Sequence, residues 1–205
     1  MTAALQWIDT HKPPATEMRR ITAAQLHDAD DQWDGLHHFI AWFLEDGELH
    51  AAVVVGIHPN IDPGDYPDIL AHALARMVGE RMEEAPLEPP IVALSLQIEG
   101  YHTKIVQGNP TAEQQQMLDQ ERDIKSLPDH DEVCLVLSTD VTGQLWWARS
   151  FRGRDDVAEG DPDTPPATAS HADMMRALGS SLPRIYTTNT EPVVPEALRA
   201  RRGKR

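Results

Sequence analysis

The sequence predicts an α+β fold, a mainly antiparallel five-stranded sheet with helices packed on one side. Three patterns carry this prediction. An Asp-Gly pair lies between two apolar runs, which is a strong local signal for a β-hairpin. A later segment repeats apolar residues at helical spacing, and the segment after it alternates apolar and polar residues as a half-buried strand does.

The first hairpin comprises residues 36–44 and 49–57 around Asp46-Gly47. A type I′ turn needs positive φ at both central residues, and Asp-Gly meets that need. Both faces of this hairpin carry apolar residues, so we expect both to be covered, by this chain or by a partner. The predicted cross-strand pairs are Leu44–Leu49, Trp42–Ala51, Ile40–Val53 and His38–Val55.

The middle of the chain contains a helix and a strand. The helix is predicted to begin near Asp65, with an apolar stripe that extends to Met82, and to end before the prolines that start at Pro86. A strand follows over residues 91–99 because its apolar residues alternate. The polar segment 100–130 is predicted to be an insertion carrying a surface helix.

A second hairpin is predicted from residues 133–139 and 144–152, with Gly143 in its turn. The acidic, proline-containing segment 154–169 is expected to be a flexible loop. A short helix is predicted from the capping box at Ser170 to a stop at Gly179. These elements define three regions: a weakly structured N-terminal extension (1–32), a single α+β domain (33–183) and a basic disordered tail (184–205).

This order of elements loosely resembles the longin, roadblock and profilin-like arrangement, which has two strands, a helix, three strands and a helix. The resemblance covers roughly residues 36–180 and lies in element order, with no shared sequence motif. Members of those folds are often scaffolds and dimerising adaptors. The resemblance therefore implies a role in protein interaction, as an analogy at the level of the fold.

The charge of the chain is strongly uneven. The net charge is −15, but residues 184–205 hold six Lys/Arg and two acidic residues, which leaves 12 basic and 31 acidic residues in 1–183. Residues 1–183 are acidic enough to repel the phosphates of nucleic acids, so we expect no direct nucleic-acid binding by this part of the chain. The basic residues at 199–205 are candidates for contact with an anionic partner.

Composition also bounds the location of the protein. The single cysteine, Cys134, excludes an internal disulfide, and no apolar run approaches the roughly 20 residues of a membrane span. Residues 1–7 lack the basic and apolar segments of a secretory signal, so we expect a cytoplasmic protein without membrane contact. Frequent Ala, Pro and Arg indicate a GC-rich genome, bacterial or phage.

Aromatic residues are the candidates for an interface. Trp146 and Trp147 are neighbours on a predicted strand and therefore point to opposite faces. One is expected in the core and the other at the surface or under a partner, because tryptophan is favoured at interface hot spots. The first hairpin adds the remaining candidates, which are Phe39, Trp42 and Phe43.

A metal site is the alternative interpretation. His37 and His58 are predicted to lie at the same end of the first hairpin, and Asp62 and Asp65 follow in the adjoining loop. Imidazole and carboxylate ligands suit zinc or another divalent ion. This set of residues would support a metal-assisted hydrolase.

The favoured hypothesis is a non-catalytic interaction or assembly protein that binds a protein partner or itself. The sequence shows no phosphate-binding glycine motif and no nucleophile elbow, and it calls for no cofactor. Beside the metal-assisted hydrolase, a second alternative is an acidic mimic of nucleic acid that inhibits a basic protein.

Overall fold

Six strands form one antiparallel sheet in the computed structural model, which describes residues 3–30, 35–84, 89–103, 130–155, 157–163 and 169–188. The α+β class and the antiparallel sheet are confirmed. The strands are β1 (His37–Glu45), β2 (Glu48–Ile57), β3 (Ile91–Thr103), β4 (His130–Asp140), β5 (Leu145–Phe151) and β6 (Val157–Gly160). The helices in this part of the chain are α1 (Ala3–His11), α2 (Ala15–Asp30), α3 (Tyr66–Glu84) and α4 (Ala169–Thr188).

The strands are arranged in the order β2-β1-β3-β4-β5-β6. The prediction of five strands missed β6, which forms within the segment 154–169 that was expected to be a flexible loop. Ser150 pairs with Val157 and Trp147 pairs with Gly160, so β5 supplies the template for this short strand. Among the described residues, strands β2 and β6 are the two edges of the sheet.

The first hairpin has the predicted turn. Asp46 and Gly47 both have positive φ, 51° and 85°, as a type I′ turn requires. The predicted pairs Leu44–Leu49, Trp42–Ala51 and Ile40–Val53 are present. The pair His38–Val55 is wrong by one residue, because a bulge between Phe39 and Ile40 shifts the register and places His38 opposite Gly56.

Helices cover both faces of the sheet, which corrects the prediction of helices on one side. Leu26 of α2 clusters with Cys134 and Val136 of β4. Gly179 of α4 lies against Thr139, whose side chain has the opposite parity along β4 and therefore lies on the opposite face. We call these surfaces the α2 face and the α4 face.

The N-terminal region contains the two helices α1 and α2, in contrast to the expected weakly structured extension. Helix α2 buries Met18 and Ile21 completely in the main core. Helix α1 packs on α4, where Trp7 stacks on Tyr186 with ring centroids 5.4 Å apart. Contacts with residues distant in the sequence therefore order this region, and residues 3–30 pack as part of the domain.

Helix α4 continues beyond the predicted stop at Gly179 and includes Pro183. A Cβ at Gly179 would overlap the backbone carbonyl oxygen of Asp140. The glycine therefore permits close packing of α4 on the end of β4, and it does not end the helix. The first residues of the predicted tail, 184–188, belong to this helix, and residues 189–205 lie outside the described part of the chain.

The central strand β3 is buried on both faces, with every residue from Ile91 to Ile98 inside. It extends to Thr103, four residues beyond the prediction, and β4 pairs with it along its full length from His130. The surface helix predicted within 100–130 falls on residues that are not described. No helix in the described part of the chain is long and apolar enough to cross a membrane.

Candidate interaction surfaces

Four of the five predicted interface residues lie in the core. Phe39, Trp42, Phe43 and Trp146 have between 0% and 9% of their surface exposed. Trp42 donates a hydrogen bond from Nε1 to Ser95 Oγ at 2.8 Å, and Ser95 in turn contacts Ser138 Oγ at 2.8 Å. These side chains stabilise the sheet and its two helical layers, so they present no surface to a partner.

Trp147 is the predicted interface residue that reaches the surface. It is half-buried on the α4 face of β5, while Trp146 is buried on the α2 face, as alternation along a strand requires. Arg149 and Phe151 follow on the same face at every second residue. The guanidinium carbon of Arg149 lies 5.6 Å from the Trp147 ring centroid and 5.4 Å from that of Phe151.

One row of side chains on the α4 face of β5 therefore comprises Trp147, Arg149 and Phe151. A guanidinium over two aromatic rings gains cation–π attraction, and Arg and Trp are enriched at interface hot spots. Sequence reasoning identified Trp147 but missed Arg149 and Phe151. Their signal was present in the predicted strand, since residues 147, 149 and 151 share one face of any strand that contains them.

Strand β2 forms a longer and more apolar edge than β6. From Leu49 to Ile57 it carries no formal charge, and Glu48 is the one ionised residue at its start. Val53, opposite Ile40 on the α2 face, is 61% exposed. Next to this strand, Leu36 is 46% exposed and lies over Gly56, which has no side chain to exclude it. This end of the sheet is therefore an exposed apolar surface.

The four residues of the predicted metal site do not form a cluster. His37 is buried and shares a hydrogen bond with Tyr66, whereas His58 is exposed and its Nδ1 accepts from Asn60 N–H. The Asp62 carboxylate accepts from Gly64 N–H at 2.8 Å, in the turn that leads to Asp65 and α3. Among the described residues, no three His, Cys, Asp or Glu side chains are placed to hold a metal ion.

His37 belongs instead to a buried aromatic cluster that joins three elements. Its Nδ1 lies 2.5 Å from Tyr66 Oη at the start of α3, and the Tyr66 ring meets the edge of His171 in α4 with centroids 5.7 Å apart. Burial lowers the pKa of His37 to about 4, with smaller contributions from the neighbouring charges of His171 and His38. Burial also raises the pKa of Tyr66 to about 12 and lowers that of His171.

These shifts keep all three groups neutral at neutral pH. A general acid or base works best when its pKa lies near the operating pH, and the pKa values of His37 and Tyr66 lie far from it. His37 Nε2 is buried without a hydrogen-bond partner, which adds to the cost of charging the ring. The cluster is therefore suited to packing β1, α3 and α4 together.

A cleft of about 430 Å³ lies between α2 and strands β5 and β6. Ala23, Trp146 and Ala148 form an apolar part of its lining. Charged residues line another part: Arg19 comes from α2, and Glu159 and Asp161 come from β6 and the residue after it. Arg19 reaches across the cleft to Asp161, with nitrogen and oxygen 3.4 Å apart.

Comparisons with known proteins identify no relative of this chain. No protein family matches it, and neither a curated protein nor a solved structure gives a significant match. Any statement about function therefore depends on the surfaces of the molecule itself.

Proposed function

We propose that this chain is a non-catalytic interaction module that assembles with a second copy of itself through strand β2. The observation that carries the proposal is the ten-residue edge strand with its single ionised residue, Glu48. An edge strand presents backbone N–H and C=O groups to its open side, and these groups pair readily with another strand.

The contrast between the two edges supports β2 as the site of assembly. Strand β6 has four residues and includes Glu159, and short length and charge both discourage edge-to-edge pairing. Strand β2 has no lysine or proline, which are the residues that usually block an open edge. Its bulge interrupts the regular ladder after Val53, so the segment Glu48–Val53 is the part suited to pairing.

A second copy is the partner that this strand fits best. Two copies of β2 can pair antiparallel about a two-fold axis, which is the symmetry of most homodimers. With the axis at Ala51, Val53 lies opposite Leu49 of the other copy, and Glu48 lies opposite Val54 and never meets its own copy. The exposed Val53 of both copies then lies near the axis and is removed from water, at roughly 25 cal/mol for each Å² buried.

Long-range charge opposes this assembly and gives it a recognisable salt dependence. Each copy carries a net charge of −15, so two copies repel each other at low ionic strength. Added salt shortens the Debye length to about 8 Å at 0.15 M and weakens the repulsion. Self-association is therefore expected to strengthen with salt. The acidic-mimic alternative predicts the opposite trend, because binding to a basic protein weakens as salt is added.

The test compares matched substitutions at the two edges. Val53→Lys places a charge near the proposed two-fold axis, whereas Val157→Lys makes the same change on β6, where the side chain is 54% exposed. Sedimentation equilibrium and native mass spectrometry, at low and moderate salt, report the subunit count. We expect a wild-type dimer, a dimerisation constant at least about tenfold weaker for Val53→Lys, and little change for Val157→Lys.

Two results would count against the proposal. One is a wild-type chain that stays monomeric at the highest accessible concentration in moderate salt. The other is equal weakening by both lysine substitutions, which would indicate a general charge effect and no role for β2.

The resemblance to the longin, roadblock and profilin-like arrangement remains part of the proposal. The chain from β1 to α4 contains two strands, a helix, three strands and a helix, with β6 inserted before the last helix. Scaffolds and dimerising adaptors are common in those folds, which agrees with an assembly role. The β2 argument does not depend on this analogy.

A further inference from the structure

We propose that Arg149, between Trp147 and Phe151 on the α4 face of β5, binds a glutamate or aspartate side chain of a partner protein. This inference is independent of assembly through β2, which lies at the opposite side of the sheet. It rests on three observations. This face of β5 is open, Arg149 has no counter-charge, and two aromatic rings restrict its guanidinium group.

The α4 face of β5 is only partly covered in the described part of the chain. Leu145, at the start of the strand, is buried in the main core. The next residues on the same face are Trp147, Arg149 and Phe151, and all three are half-exposed. Strand β6 adds little cover, because the residue paired with Trp147 is Gly160, which has no side chain. A partner can therefore reach this row of side chains from the solvent.

Arg149 lacks a counter-charge among the described residues. Arg152 and Arg154, which are close to it in sequence, each pair with a carboxylate, at Glu132 and Asp131 respectively. Arg149 has neither an ion pair nor a hydrogen bond in that part of the chain, and its Nε is buried without an acceptor. A cation that is partly removed from water without a counter-charge is costly, and a bound anion offsets this cost.

The surroundings of Arg149 on this face are uncharged. Its cross-strand neighbours are Leu135 of β4 and Ala158 of β6. Asp131 lies further along the same face and is already paired with Arg154. One uncompensated positive charge in an apolar setting matches one carboxylate. A dianion such as phosphate would bring more negative charge than one arginine balances, to a chain whose net charge is −15.

The two aromatic rings restrict the guanidinium group and leave its terminal donors available. Its carbon lies 5.6 Å from the Trp147 ring centroid and 5.4 Å from that of Phe151. A side chain held between two rings loses less conformational entropy when it binds a ligand. In contrast to Nε, the Nη groups remain accessible to solvent. A guanidinium group donates two parallel hydrogen bonds to a carboxylate, which favours this anion in geometry as well as in charge.

A side chain of a protein suits this site better than a small free acid. Sites for small molecules are usually concave and bury most of the ligand, whereas these residues lie along the open face of a strand. Tryptophan and arginine are enriched at the hot spots of protein interfaces. Apolar residues next to the bound carboxylate would contact the two rings and exclude water from the ion pair, which strengthens it.

Two tripeptides that differ in one charged group test the inference. Acetyl-leucyl-glutamyl-leucine amide carries one carboxylate between two apolar residues, and its glutaminyl analogue has the same shape without the charge. Each is titrated into the full-length protein at moderate salt, and the Nε–H signal of Arg149 and the indole N–H signal of Trp147 are followed by NMR. We expect the glutamyl peptide to shift both signals at several-fold lower concentration than the glutaminyl peptide. Sodium acetate, as the free acid, should need a higher concentration than the glutamyl peptide.

Matched variants locate the site, with the Trp147 signal reporting binding. Arg149→Gln is expected to weaken binding of the glutamyl peptide about five- to tenfold and to remove its advantage over the glutaminyl peptide. Arg149→Lys keeps the charge without the planar group, so its affinity should be intermediate. Arg20→Gln is the control, because it removes the same charge from an exposed position of α2, on the opposite face of the sheet.

Four outcomes would overturn the inference. The first is that neither peptide shifts the two signals, and the second is equal affinity for both peptides. The third is equal weakening by Arg149→Gln and Arg20→Gln, which would indicate a general effect of net charge. The fourth is binding of acetate as tight as that of the glutamyl peptide, which would indicate a site for small acids. None of these outcomes bears on dimerisation through β2.

Discussion

Burial of His37 should make the protein less stable in mild acid. The folded protein holds this imidazole neutral, with a pKa of about 4, whereas the unfolded chain has the ordinary value of 6.5. Between these two values the unfolded state binds more protons than the folded state. The free energy of unfolding therefore falls as the pH drops from about 6.5 towards 4, and it is fully restored above pH 7.

The size of the effect follows from the two pKa values. At pH 5 the imidazole is almost fully protonated in the unfolded chain and almost fully neutral in the folded protein. Going from pH 7 to pH 5 therefore costs about 2 kcal/mol of stability from His37 alone. His171, whose pKa is also lowered by burial, adds to the loss in the same direction.

The assay is urea unfolding followed by tryptophan fluorescence at several pH values between 5 and 7.5. His37→Gln removes the titrating group and should reduce the loss of stability between pH 7 and pH 5 by about 2 kcal/mol relative to wild type. His72→Gln is the control, since His72 is an exposed histidine of α3 and lies outside the proposed dimer edge. The reasoning is refuted if His37→Gln and wild type lose the same stability over this range, or if His72→Gln has the larger effect.

Three further predictions concern stability and are measured by the same urea assay at pH 7. Gly179→Ala forces a Cβ against the Asp140 carbonyl and should destabilise by about 1–3 kcal/mol, whereas Gly79→Ala, in α3 with no atom within 4 Å of its Cβ, should stabilise by about 0.5–1 kcal/mol. The same sign for both would contradict the packing role of Gly179. Asp140→Ala removes the acceptor of three hydrogen bonds in the β4–β5 turn and should cost about 2–3 kcal/mol, against about 0.5 kcal/mol or less for the exposed, ion-paired Asp173→Ala. Trp42→Phe deletes the donor to Ser95 and should cost about 1 kcal/mol, and an unchanged stability would contradict a stabilising role for this hydrogen bond.

Local chemistry was sufficient to predict the hairpins. Asp46 and Gly47 adopt the positive φ angles that their types favour, and Gly143 has a φ of 77° in the second turn. Helix α3 begins next to the predicted start at Asp65, because a capping residue and the spacing of apolar residues lie within the segment itself. Such features depend on neighbouring residues and can be read without knowledge of the rest of the fold.

The predicted interface residues and the predicted metal ligands do not lie together in the structure, and the reason is different. Alternation correctly placed Trp146 and Trp147 on opposite faces, but it contains no information on which helix covers which face. Helix α2 covers Trp146, and the bulge between Phe39 and Ile40 shifts the pairing of β1 with β2 by one residue at the end that carries His37. The Tyr66 hydroxyl shares a hydrogen bond with His37 Nδ1, whereas His58 is exposed on the loop after β2.

The class of the fold, both hairpin turns, α3 and the uneven charge could be predicted from the amino-acid sequence, because each depends on short-range dihedral preferences, periodicity or composition. The remaining features depend on contacts between distant segments. Strand β6 forms because β5 offers it a pairing edge, and α4 continues through Gly179 because that glycine lets the helix approach Asp140. The two open edges and the cleft beside α2 likewise arise from segments distant in the chain, whose free energies of contact no local pattern encodes.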